Sequence, residues 1–186
     1  MRLVKKQWIN AALIIAIILV LFTPVGFHAR VFLGRIFATS AAVLKTELQT
    51  TVENYDWQLL VGNGNDYNFE AASGKVVLIN FWATWCPPCV AEMPGFQGLY
   101  EDYKDKIVFM FVAQDNVDKV AAFIAKKGYT LPVYYSSTEA PKLLTSKTIP
   151  TTYVINKEGK IKIAETGVAN WNSDKTRKVL DELLAD

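Results

Sequence analysis

The chain has only two cysteines, and both lie in Phe81-Trp82-Ala83-Thr84-Trp85-Cys86-Pro87-Pro88-Cys89, directly after the apolar run Val76-Val77-Leu78-Ile79. A short, bounded apolar run of this kind predicts a central strand buried on both faces, and the residues after Cys89 read as helix. The pair therefore falls at a strand-to-helix turn. Unpaired N–H groups and the positive end of the helix dipole favour a thiolate there, lowering a cysteine pKa from about 8.5 to between about 3.5 and 7.5. This predicts a redox dithiol with Cys86 as nucleophile and only the Cys86 sulfur exposed. Metal binding fits poorly, because zinc wants four Cys or His ligands and the single histidine, His28, lies far upstream. Haem attachment needs His after the second cysteine, where this chain has Val90. A purely structural disulfide is the remaining alternative, although closing so short a loop removes little chain entropy.

The string FWATWCPPC, followed by Glu92-Met93-Pro94 and later by Thr148-Ile149-Pro150-Thr151-Thr152, resembles the TlpA/ResA-like branch of thioredoxin-fold thiol-disulfide oxidoreductases. The resemblance runs from Tyr55 to the C-terminus. It implies a cis Ile149–Pro150 bond facing the dithiol, with Ile149 backbone atoms free to pair with an extended substrate segment; a trans proline opening a strand is the plain alternative. It also suggests a carboxylate, Glu92, near the active site, against the alternative of a solvated glutamate on the helix surface. Asn80 stands where cytosolic thioredoxins carry a buried aspartate, and reads equally well as an ordinary hydrogen-bonded core amide. Around Cys86, the flat apolar groups Trp85, Pro87 and Pro88 form a docking surface for another protein.

The implied activity is disulfide reduction outside the cytoplasm with no metal or organic cofactor. Its implied partners are an oxidised substrate protein, such as an apocytochrome in cytochrome c biogenesis, and a membrane-embedded electron donor. The competing class is a non-catalytic partner-binding module or redox sensor on the same fold. A peroxiredoxin would carry Thr three residues before the reactive cysteine, where this chain has Ala83.

At 186 residues and 51% hydrophobic, the chain suits one compact domain with an appendage, and a net charge of +2 indicates no nucleic-acid role. Residues 1–29 read as a transmembrane anchor with a basic start at Arg2, Lys5 and Lys6: Gln7 to Phe27 is uncharged and, as one helix, reaches roughly 31 Å, about a bilayer's hydrocarbon thickness. A cleaved signal peptide is the alternative, although the small residues Ala38-Thr39-Ser40 lie well past the apolar stretch. Three basic residues before the span and Arg30 and Arg35 after it favour a cytoplasmic N-terminus and a periplasmic domain only slightly.

Residues 30–54 read as an amphipathic juxtamembrane linker, with Leu33, Phe37, Ala41, Leu44 and Leu48 at helical spacing; a helical spacer packing on the domain is the alternative. The domain proper, 55–186, opens with a hairpin turning at Gly62-Asn63-Gly64-Asn65 and continues as βαβ, then ββα, with an inserted helix and strand between Val117 and Tyr135. That order predicts a thioredoxin-like three-layer α/β sandwich, a mixed sheet with helices on both faces and the dithiol at the carboxyl end of a parallel strand.

Overall fold

A computed structural model describes residues 2–62 and 64–186, so the expected hairpin turn at Asn63 lies outside the described residues. Among the described residues seven strands form one mixed sheet: β1 (Gln58–Val61), β2 (Asp66–Asn68), β3 (Val77–Trp82), β4 (Val108–Ala113), β5 (Val133–Ser136), β6 (Thr151–Ile155) and β7 (Ile161–Thr166). Their spatial order is β2-β1-β5-β4-β3-β6-β7. β3 pairs parallel to β4 and antiparallel to β6, so it is central, and all six of its residues are buried.

The alternation of side chains along β3 divides the core in two. Leu78 and Trp82 join Phe109 and Phe111 of β4 on one face, whereas Val77, Ile79 and Phe81 join Met110 and Val112 on the other. The first face is covered by α3 (Pro87–Tyr103), α4 (Val117–Lys127) and α5 (Asp174–Ala185), through Met93, Phe96, Leu99, Val120, Leu180 and Leu183. The second face departs from the expected sandwich. Among the described residues it carries no α-helix, only the short 3₁₀ turns Phe69–Ala72 and Lys142–Leu144 and the segment bearing Val52 and Trp57.

Local signals account for the helix limits. Asn116 caps α4 by accepting from the N–H groups of Asp118 and Lys119, and Gly128 ends it in the left-handed region at φ 68°. Ser173 caps α5 through the N–H of Thr176.

The N-terminal segment differs from both sequence expectations. The apolar stretch is not one helix: α1 (Arg2–Phe22) ends before Pro24, and α2 (Pro24–Phe37) starts on the Thr23 N-cap. Lys6–Leu19 and Pro24–Phe37 are bent by 79°, and among the described residues no single helix is long and apolar enough to cross a membrane. Pro24 is the physical reason, since it lacks an N–H and its ring collides with the carbonyl four residues back. The helical pattern expected through Leu48 also stops at Phe37. Beyond it the backbone bonds to β7 and the loop after it instead: the N–H of Leu44 donates to the carbonyl of Lys162 in β7 at 2.8 Å, and the carbonyl of Thr39 accepts from Asn170 on the loop at 2.8 Å. Tertiary pairing displaces local periodicity, and the segment covers an otherwise open sheet edge.

α2 is seated on the first turns of α3. Val31 packs on Val90 and Ala91, and a Cβ built on Gly34 would stand 3.2 Å from that of Ala91. Gly34→Leu is therefore expected to lift α2 off α3 at an overpacking cost of about 1–3 kcal/mol. Limited proteolysis should then cut residues 24–45 several-fold faster while hydrogen exchange in β3 and β4 is unchanged; equal cleavage of both proteins would refute the close packing.

Candidate active site

β3 delivers the chain into the site, and its register fixes what meets there. Phe81 pairs with Thr151, so Pro150, one residue earlier, lies at the same end of the sheet as the cysteines that follow β3. The Ile149–Pro150 bond is cis, as the resemblance implied, and the carbonyl of Pro150 accepts from the Gly167 N–H at 2.9 Å. Pro150 is buried and Ile149 half-buried.

Cys86 is the N-cap residue of α3, with Pro87 and Pro88 in the first turn, where a missing N–H costs nothing and the fixed φ suits the helix. Cys86 and Cys89 form a disulfide, and the Cys86 sulfur accepts from the N–H of Cys89 at 3.3 Å. That N–H, with the helix N-terminus behind it, favours a thiolate at position 86 on reduction. The expectation that the Cys86 sulfur is exposed needs correcting: in the disulfide Cys86 is 4% and Cys89 0% accessible, because both belong to the core under α3. The exposed group is Trp85, at 62%, flanked by half-buried Pro87 and Pro88.

Two anchors hold this turn. Thr84 gives both its N–H, at 3.1 Å, and its hydroxyl to the Asp115 carboxylate beyond β4. Burial acts to raise the Asp115 pKa, but the hydrogen bonds from Thr84 and Asn116 and the charge of Lys119 outweigh it and hold the carboxyl below its ordinary value. Asn80 is fully buried and donates to the Thr152 hydroxyl at 2.8 Å, tying β3 to β6 as a core amide.

Glu92 is not on the helix surface. It is 3% exposed, and its Oε1 accepts from the Ala169 N–H at 2.8 Å and the Trp171 indole N–H at 2.7 Å. Its Oε2 has no partner among the described residues, and Glu92 is one of the residues lining a cavity of about 170 Å³. Burial pushes the carboxyl up to about 8; the two hydrogen bonds oppose this and Glu165 adds to it. Trp171, stacked on Phe96 with ring centroids 5.3 Å apart, was not found by sequence reasoning, and neither was Asp115. An isolated tryptophan between two asparagines was the available signal for Trp171.

The redoxin family profile matches residues 47–184. The chain belongs to the redoxin family. The Bacillus subtilis thioredoxin-like protein YneN is 33% identical over 133 residues, 69% of this chain and 75% of that one. A thiol-disulfide oxidoreductase ResA of Geobacillus kaustophilus is 29% identical over 157 residues, covering 82% and 84%. A thioredoxin-family thiol:disulfide interchange protein of Chlorobium tepidum superposes with a TM-score of 0.59 at 23% identity, over 72% of this chain and 97% of that one, a likeness of fold alone. This redoxin is a ResA/TlpA-like thiol-disulfide oxidoreductase, and such enzymes work through a redox-active cysteine pair, not a bound cofactor.

The buried Glu92 carboxyl is expected to tie folding stability to pH. Its folded pKa is raised above its unfolded value, so between pH 4.5 and about 8 the folded chain holds a proton that the unfolded chain has released. The stability this supplies is fully present below pH 4.5 and is lost as pH rises through about 8. Glu92→Gln, neutral at every pH, should remove that slope: urea denaturation at pH 8 should favour the variant by on the order of several kcal/mol, and the gap should shrink at pH 5. A parallel pH dependence in the two proteins would contradict a buried carboxyl.

Proposed function

We propose that this redoxin reduces disulfides of particular proteins outside the cytoplasm, with Cys86 as attacking sulfur and Cys89 as resolving sulfur. The observation that carries the reading is Cys86 at the N-cap of α3, its sulfur met by the Cys89 N–H, beside exposed Trp85 and the cis Ile149–Pro150 bond. In the reduced enzyme the Cys86 thiolate attacks one sulfur of the substrate disulfide; a mixed disulfide forms and the first substrate thiolate leaves and takes a proton. The Cys89 thiolate then attacks the Cys86 sulfur, the Cys86–Cys89 bond forms, and the second substrate thiolate departs. Two electrons pass to the substrate, and a membrane-embedded dithiol donor returns them. Apocytochromes awaiting haem are the substrate class suggested by the resemblance.

Burial of Glu92 supports the reducing direction. Held protonated up to pH about 8, the carboxyl, three residues beyond Cys89 on the helix, marks a low-dielectric region that disfavours a thiolate, and its charge adds to this once it ionises, so the reduced pair gains less stabilisation and the disulfide is harder to reduce. Redox titration should place the potential toward about −270 mV; a value near −120 mV would reverse the direction. Cys86→Ser should abolish reductase activity, and Cys89→Ser should accumulate mixed disulfides whose partners mass spectrometry can identify. Equal trapping by both variants would overturn the division of roles.

The tether is part of the same proposal. Ile9, Leu13, Ile14, Ile15, Ile17, Ile18 and Leu19 on α1 are each at least half exposed, an apolar surface that no part of the domain covers. Such a surface calls for an apolar partner, and a membrane is the one that suits its extent. A reporter fused after Asp186 should be exported and remain with the membrane fraction through carbonate extraction. Full activity in a soluble periplasmic fraction would refute the tether.

A further inference from the structure

Beside the dithiol turn, α2, α3 and the end of α4 enclose a cavity of about 590 Å³, within the range that holds an organic ligand. One part of its wall is apolar and aromatic, from Phe27, Val31 and Phe123; the other is cationic, from Arg35, Lys126 and Lys127. None of these three cations has a carboxylate within salt-bridge distance among the described residues; Arg35 is held by donating from Nε to the Ala91 carbonyl at 3.3 Å. The lining contains no acidic residue to balance them. α2, which supplies Phe27, Val31 and Arg35 to the wall, follows directly on α1 with its uncovered apolar side chains.

The geometry points to a binding site for an anionic phospholipid, its phosphate between Arg35 and the lysine pair and the start of an acyl chain against Phe27, Val31 and Phe123. This rests on the membrane tether proposed above. Both halves of the wall then have a use, which a free anion or a neutral apolar ligand would leave unfulfilled. Thr84 lines the same cavity two residues before Cys86, so a lipid seated there holds the dithiol turn at the membrane surface, within reach of a membrane-embedded electron donor.

The test uses the full chain in uncharged maltoside micelles, titrated with short-chain phosphatidylglycerol, the matching phosphatidylcholine and inorganic phosphate. Amide resonances of Thr84, Phe27–Phe37 and Phe123–Lys127 report binding. Phosphatidylglycerol should shift them saturably, with the other two at least 10-fold weaker. Lys126→Gln combined with Lys127→Gln should weaken binding about 30-fold, the effect expected of two lysines at an anionic surface. Both side chains are exposed, so folding should be unaffected. Lys104→Gln combined with Lys106→Gln, an equal charge change at the opposite end of α3, should leave binding unchanged. Equal affinity for phosphatidylcholine, unchanged binding in the Lys126/Lys127 variant, or phosphate binding as tight as the lipid's would each overturn the assignment. Flotation of the detergent-free chain with vesicles reads the tether separately: a chain that binds short-chain phosphatidylglycerol but does not float refutes the tether and supports the cavity.

Discussion

The strand Val77–Trp82 is the constraint on which the molecule depends. Buried on both faces, it is held by β4 in parallel and β6 in antiparallel register, and a shift of one residue would exchange its two core faces. The same register decides the chemistry, because it brings Cys86 and Pro150 to one end of the sheet without any contact dedicated to that purpose. Asn80 reinforces the choice: its amide reaches the Thr152 hydroxyl only when β3 and β6 are aligned as they are, and a slip would leave a buried polar group without its partner.

A second dependence runs through Glu92. An acid placed in the core under α3 opposes folding unless it is protonated or well paired, and here one oxygen takes two hydrogen bonds while the other takes none. The groups that bind it, the Ala169 N–H and Trp171 indole, lie on the loop that follows β7, so the carboxyl joins the start of the redox helix to the C-terminal part of the chain. Replacing it with an apolar residue would leave that indole N–H unsatisfied, whereas glutamine keeps an acceptor in place. A charge that burdens folding at high pH is retained where it can also act on the neighbouring sulfurs.

Much of this was legible in the sequence because the relevant signals are local. The apolar run before the cysteines, Gly128 at the end of α4, and the order of strands and helices each depend on residues close together in the chain. What was not legible depends on distant partners. The resemblance put Glu92 near the active site against a solvated helix surface, and its burial was not legible, since it depends on Trp171, 79 residues away. The helical spacing from Leu33 to Leu48 was genuine as a pattern and wrong as structure beyond Phe37, because the backbone there finds the open edge of β7. Pro24 was a local signal outweighed by the length of the apolar stretch around it. The burial of Cys86 has the same origin, for its exposure is set by what packs over α3 and not by its place in the motif.

The bend at Pro24 gives the N-terminal segment two duties that one straight helix could not combine. Straight through Phe27, it would put the whole apolar stretch in a membrane and leave the domain on a free linker. Broken at Thr23, it leaves the exposed aliphatic face on α1 and turns α2 down onto Val90 and Ala91, directly after the second redox cysteine. The run from Thr39 to Val52, through isolated bridges at Thr39 and Thr51 on either side of a 3₁₀ turn at Thr46–Leu48, then fixes the far end of α2 to the sheet edge. Held at both ends, α2 has its position relative to the dithiol turn set by the fold and not by a free linker.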